Sequence, residues 1–276
     1  MVANSAVEAM HFRSRSIWVL GVILSAAGCG GPHEAQATEL TVVTDAEKIE
    51  SVVTNLGYTV NLEEARMVGK NMTFALAGEL LTRGVLRRAY DWVVPDALAH
   101  AGHYSGGDIT GQLDGRLVFD WLPGKHKTLG TATLLAGSYK SANFAFTKAL
   151  ESDGLAADDD LLDHSALFRG QVEWDTNSIE FLALIDIDED TQLIGMPFED
   201  DVDPASTQRL HVELQTSVDT VGETLFDGVD FASLDADGDR QVRIDGSATT
   251  KPAIDAYLAL SRAVATHDYY KIVATH

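Results

Sequence analysis

Alternation is the feature that most constrains this chain. Short runs in which apolar and polar residues take turns recur along it, at residues 57–62, 141–147 and 210–215, and further β-rich runs stand at 116–121 and 129–135. A period of two is that of a strand with one face buried and one wet. The alternation of 57–62 runs on, with a break, toward Phe74. Residues 166–174 and 179–187 read as a hairpin joined at Asp175-Thr176-Asn177-Ser178. Short strands with polar turns and few intervening helices predict a mainly β chain folded as a β-sandwich.

Two stretches keep a helical period instead. Over residues 80–94, Leu81, Val85, Ala89 and Val93 recur four apart with Arg83, Arg87 and Arg88 among them, and Pro95 ends the run. This is an inserted helix, packing one face on the sandwich or serving as a lid or membrane-surface contact. The second is Lys251–Val264, with Pro252 near its start and Ile254, Leu258 and Ala265 recurring, a C-terminal helix capping the domain.

The chain of 276 residues carries a formal net charge of −22. So acidic a body repels phosphate backbones, which excludes nucleic acid as a partner and suits a solvated protein or one that holds cations. The acidic runs at 158–160 and 199–201 are expected to be loops of solvated charge. One cysteine, Cys29, is present, so no disulfide forms within the chain and stability rests on core packing and bound metal.

Cys29 stands at the end of an informative stretch. Arg13-Ser14-Arg15-Ser16 precedes the apolar run of residues 17–24, and Ser25-Ala26-Ala27-Gly28 leads to Cys29. A basic segment, a short apolar core and small residues compose an export signal, and the core is shorter than the roughly 20 residues that span a bilayer. Met10, followed by His11, Phe12 and Arg13, is a better start for it than Met1. Read from the residues alone, the signal is cut nearby and Cys29 is left as a thiol. The stretch resembles the lipobox of bacterial lipoproteins, with Ala26 where leucine is favoured. That resemblance implies a diacylglyceryl group on Cys29 and cleavage before it. The absence of aspartate after Cys29 implies sorting to the outer membrane. The division that follows is a lipoprotein signal peptide over 1–28, a flexible tether over 29–40 and a β-sandwich domain over 41–276.

Two stretches carry metal-ligand chemistry. In residues 235–245, Asp235, Asp237 and Asp239 alternate around Gly238, followed by Gln241 and Asp245. Carboxylates at every second position of a tight loop converge on a hard cation, and the carbonyl of Gln241 adds an oxygen. The stretch resembles the calcium loop of EF-hand and dockerin-like proteins, which implies Ca2+ as the ion. Arg240 takes the sixth position, where that pattern has glycine, and Gly246 the twelfth, where it has a bidentate acid. Asp245 is one residue short of that role, and Asp230 is an upstream substitute. An Asp-rich turn without an ion is the alternative.

The other stretch is residues 99–108, where His100 and His103 stand beside glycines. Two histidines three apart can turn both imidazoles to one ion, with His267 and Asp268 as further ligands from after the last helix. Nitrogen donors of this kind suit Zn2+ or Cu2+. His126, between Lys125 and Lys127, is a poorer ligand because the lysines repel a cation. His100–Gly111, Asp120-Trp121 and residues 129–134 together resemble a set of uncharacterised lipoproteins of Gram-negative bacteria with His-Pro-Gly-His patterns. The resemblance implies that the histidine regions share one domain, and it supplies no activity. There is no Gly-x-Ser-x-Gly, His-Glu-x-x-His or phosphate loop. The expectation is a non-enzymatic envelope lipoprotein, anchored in the membrane through its lipid, whose sandwich binds a small ligand or an envelope protein and holds a divalent metal. The alternatives are a metal-dependent hydrolase and a calcium-stapled structural or adhesion module.

Overall fold

The computed structural model describes residues 37–45, 49, 51–76, 109–121, 127–205, 207–218 and 222–275. Six strands come first: β1 (Ala37–Asp45), β2 (Val52–Val53), β3 (Thr59–Leu76), β4 (Ile109–Asp120), β5 (Thr128–Leu135) and β6 (Gly137–Phe146). A one-turn helix at Glu151–Asp153 precedes β7 (Ala166–Trp174), β8 (Asn177–Ile185), β9 (Gln192–Pro197), β10 (Asp201–Val202) and β11 (Arg209–Leu214). The remainder is β12 (Ser217–Val218), β13 (Glu223–Thr224), α1 (Phe231–Leu234), β14 (Gln241–Ile244), α2 (Lys251–Val264), a turn at His267–Tyr269 and β15 (Tyr270–Thr275).

The molecule is mainly β, and its sheet folds over as a sandwich. The hydrogen-bonded order is β14-β8-β7-β3-β4-β5-β1-β11-β15. Its pairings are antiparallel except β1 with β11 and β14 with β8. The long strand β3 is the branch point. Its first half pairs with β7 and its second with β6, while β4 runs along its other edge. Register shifts between Leu62 and Glu64 and between Lys70 and Met72 bend it, as bulges do. β6 goes on to pair with β9 and β10. The amide of Ala274 on β15 donates to Asp200 beside β10 at 3.1 Å, which brings the β15 end of the sheet against the branch formed by β6, β9 and β10.

Aromatic rings from the facing layers fill the space between. Phe119 of β4 meets Phe144 of β6 at 5.2 Å between centroids, and Tyr270 of β15 lies 6.1 Å from Trp121 and 6.3 Å from Phe144. Their polar atoms are satisfied: Trp121 donates its Nε1 hydrogen to Val212 O at 2.9 Å, and the Tyr270 hydroxyl donates to Val264 O at 2.8 Å. A second aromatic group, Phe168, Phe181, Phe226 and Phe231 with Tyr58, packs α1 and the segment before it onto β7 and β8. On the reverse face Val68, Val118, Leu167 and Leu184 form a small separate cluster with Ala149 and Leu161 of the β6–β7 connection.

Several expectations meet corrections. β1 begins at Ala37, four residues inside the stretch expected to be tether, because Leu40 is buried in the core. The C-terminal helix has the expected span, and its buried stripe is not the one on which Ile254 and Leu258 recur. Ala256, Leu260 and Val264 are buried, whereas Ile254 is 40% and Leu258 42% exposed. Residues two apart on a helix lie on opposite sides, so one stripe excludes the other. The acidic run 158–160 is paired rather than merely solvated. Asp159 chelates Arg66 at 2.7 and 2.8 Å, and Arg169 reaches both Glu64 and Asp160. Arg66 Nε also lies 2.6 Å from Glu64, as an ion pair without hydrogen-bond geometry. Burial alone would lower the Arg66 pKa; Asp159 and Glu64 more than offset it and hold the guanidinium above its usual range. The helix expected over residues 80–94 lies outside the described residues.

Candidate functional site

The sequence leads to the connection between α1 and β14, and both ends of it are tied down. Upstream, Phe231 is fully buried among Tyr58, Phe181 and Phe226. Asp230 caps α1, accepting from the Ser233 amide, from the Ser233 hydroxyl at 2.5 Å and from the Tyr58 hydroxyl at 2.6 Å. Those hydrogen bonds, Ser233 first, hold its carboxyl below the usual range. Committed to this cap, Asp230 is not the extra ligand the sequence offered. Downstream, β14 adds to β8 in parallel, Val242 opposite Phe181, and Arg240 O accepts from the Glu180 amide at 2.9 Å.

Between these anchors the side chains of Asp235, Asp237 and Asp239 converge, each offering a carboxylate oxygen within 4.8 Å of the others. Backbone amides hold the turn. Arg240 donates to Asp235 Oδ1 at 3.1 Å, Gln241 to Asp239 Oδ1 at 2.8 Å and Asp239 to Asp237 Oδ1 at 3.4 Å. Gly238 and Arg240 take φ of 73° and 64°. The left-handed turn expected of a glycine at the sixth position is therefore made here by Arg240, at a cost of order 1 kcal/mol. Two unit charges near 5 Å repel by roughly 1 kcal/mol even at the dielectric constant of water. Three mutually repelling carboxylates on a fixed turn are what a hard cation relieves, and oxygen donors without nitrogen or sulfur suit Ca2+ better than Zn2+.

The other expected ligands are placed as follows. Gln241 opens β14, and its amide serves the turn. Asp245 faces a different set of donors: Arg243 Nε at 2.6 Å and the Ser247 hydroxyl at 2.5 Å, which with the Ser247 amide hold its carboxyl below the usual range. It closes a turn beyond β14 and does not join the triplet. His267 Nε2 lies 3.1 Å from Asp268 Oδ1, so these two pair with each other. Among the described residues no third ligand joins them, the triplet being the one group of three close enough to share an ion. His100 and His103, like Cys29 and His126, lie outside the described residues.

Two further constellations gave no sequence signal, because their members are far apart in the chain. His211 Nδ1 lies 3.1 Å from Asp45 Oδ2 and its Nε2 lies 2.8 Å from Thr275 Oγ1, a polar line across β1, β11 and β15. His164 Nδ1 and Lys148 Nζ each lie 3.1 Å from Asp186 Oδ1 at the end of β8. Asp45, His211 and Thr275 stand on strands, whereas Lys148, His164 and Asp186 lie in connections that carry no periodic pattern. No protein-family model matches the chain, and neither the curated proteins nor the solved structures supply a match.

Proposed function

We propose that this chain is a lipid-anchored, non-enzymatic envelope protein whose β-sandwich is stapled by a calcium ion at Asp235, Asp237 and Asp239. The observation that supports the reading is the convergence of the three carboxylates on a turn fixed at both ends by packed structure. The ion would tie α1 to β14 and so stiffen the chain just before α2. The anchor rests on the lipobox resemblance at Cys29.

The test is thermal unfolding of the soluble domain in calcium and in chelator. An ion that binds the folded state alone stabilises it by about 2.7 kcal/mol at a hundredfold excess over Kd. The expected result is a melting temperature several degrees higher in millimolar calcium, lost in Asp237→Asn. Equal melting temperatures in calcium and chelator would overturn the reading. For the anchor, Cys29→Ser expressed in a Gram-negative host should leave the detergent phase. Normal processing and retention of that variant would count against lipidation.

A further inference from the structure

A groove of about 450 Å³ opens between the start of β5, the middle of β4 and the one-turn helix at Glu151–Asp153. Its walls carry Arg116 and Val118, Lys127 and Leu129, and Ser152 and Asp153. That size falls in the range of small-molecule sites. The charges on its walls are unequal. Asp153 holds Arg116 through two contacts, at 2.6 and 2.8 Å, and Arg116 also donates to Thr147 Oγ1 and to the carbonyl of Lys148. Arg116 and Asp153 therefore neutralise each other, each holding the other in its charged form.

Lys127 is the charge left over. Its backbone is fixed on β1: its carbonyl accepts from the Thr44 amide at 2.9 Å, and its amide donates to Thr44 Oγ1 at 3.3 Å. The residue is half-buried, and among the described residues no carboxylate lies within ion-pair distance of its ammonium. The charged groups around it are Asp120 at the end of β4, Arg66 on β3, Asp153 and Asp159, with Arg116 on the groove wall. Burial outweighs the pull of the acids and pushes the amine below the usual lysine range. Lys70, by contrast, pairs with Asp190 at 2.6 Å and is held above it.

We propose that this groove is a binding site for a small organic anion, its carboxylate on the Lys127 ammonium and its apolar body against Val118 and Leu129. An ammonium withdrawn from water without a partner is unfavourable, and an anion supplies the missing counter-charge. The hydroxyls of Ser152 and Thr128 stand on the same walls as further donors. The site uses none of the residues of the cation turn, so either can fail without the other.

Calorimetric titration of the full chain with benzoate tests it. Binding that restores charge to Lys127 takes up a proton above the pKa of the free amine, and the affinity then falls tenfold per pH unit. The expected result is binding that Lys127→Met weakens at least tenfold and Lys251→Met leaves alone, with proton uptake seen as a buffer-dependent heat at alkaline pH. A Lys127→Met variant with wild-type melting temperature and unchanged benzoate affinity would overturn the site. So would displacement of benzoate by equimolar chloride, which would make the groove a counter-ion site. Should Lys127→Met fail to fold, the buffer dependence of the wild-type heat decides alone, and its absence would end the proposal.

Discussion

Individual residues here are constrained most where backbone meets backbone. Gly170 of β7 sits at the register shift of β3, and a Cβ at that position would lie 2.0 Å from the Asn61 carbonyl oxygen. No side-chain rotation relieves a clash with main chain. Gly170→Ala is expected to cost roughly 3 kcal/mol, the upper end of overpacking penalties, read as a lower urea midpoint. The sequence shows the glycine but not its reason, because the bulge depends on which strand comes to lie alongside. The same limit applies to Arg240. The resemblance to a calcium loop implies glycine at the sixth position of the turn, and only the fold shows an arginine holding φ of 64° there. The acids of the triplet were legible because their convergence is local, whereas Asp45, His211 and Thr275 meet only through three paired strands.

Elements whose period survives tertiary packing were the readable ones. The β7–β8 hairpin and the span of α2 follow from alternation and from Pro252 at the helix start. Alternation fails for β9, a short edge addition paired on one side, is too short to read in the four residues of β14, and does not mark the first residues of β1, Ala37–Leu40, which look like tether until β5 lies beside them. The core face of α2 does not stand out in the sequence, because the larger Ile254 and Leu258 point outward and a smaller stripe, Ala256-Leu260-Val264, points in. Two substitutions separate these assignments. Leu260→Ala is expected to cost about 2–5 kcal/mol by opening a core cavity, and Leu258→Ala to stay within about 0.5 kcal/mol. Comparable losses at both positions would mean that a partner covers the outer stripe.

On the scale of the whole molecule, ion pairs and caps distribute the acidity unevenly. Asp153, Asp159, Asp230 and Asp245 are all held below the usual carboxylate range, by Arg116, Arg66, Ser233 and Ser247 first in each case. A carboxyl with a depressed folded-state pKa contributes stability that is complete above its unfolded value near 3.9 and is lost as pH falls through the folded value. The melting temperature should therefore be level from neutrality to about pH 5 and fall steeply below about pH 4. In Asp159→Asn the fall should be shallower, from a lower starting point. At the alkaline end Tyr269, its hydroxyl buried on Thr224 O, is pushed up to about 12, so it stays neutral over the working range.

The pairing of β1 with β11, and the contact of Tyr270 with Met67 across 203 residues, also set the order of events in folding. Contacts so far apart in sequence give almost no local reward on the way to the native state. A chain of this topology closes its loops before it gains from them, and such chains fold in milliseconds to seconds rather than microseconds. Until β15 reaches β11, the aromatic faces of β4 and β6 lack part of their opposite layer, so the incomplete chain leaves apolar surface exposed. Slow closure also leaves a window in which the polypeptide can still be threaded through a narrow passage.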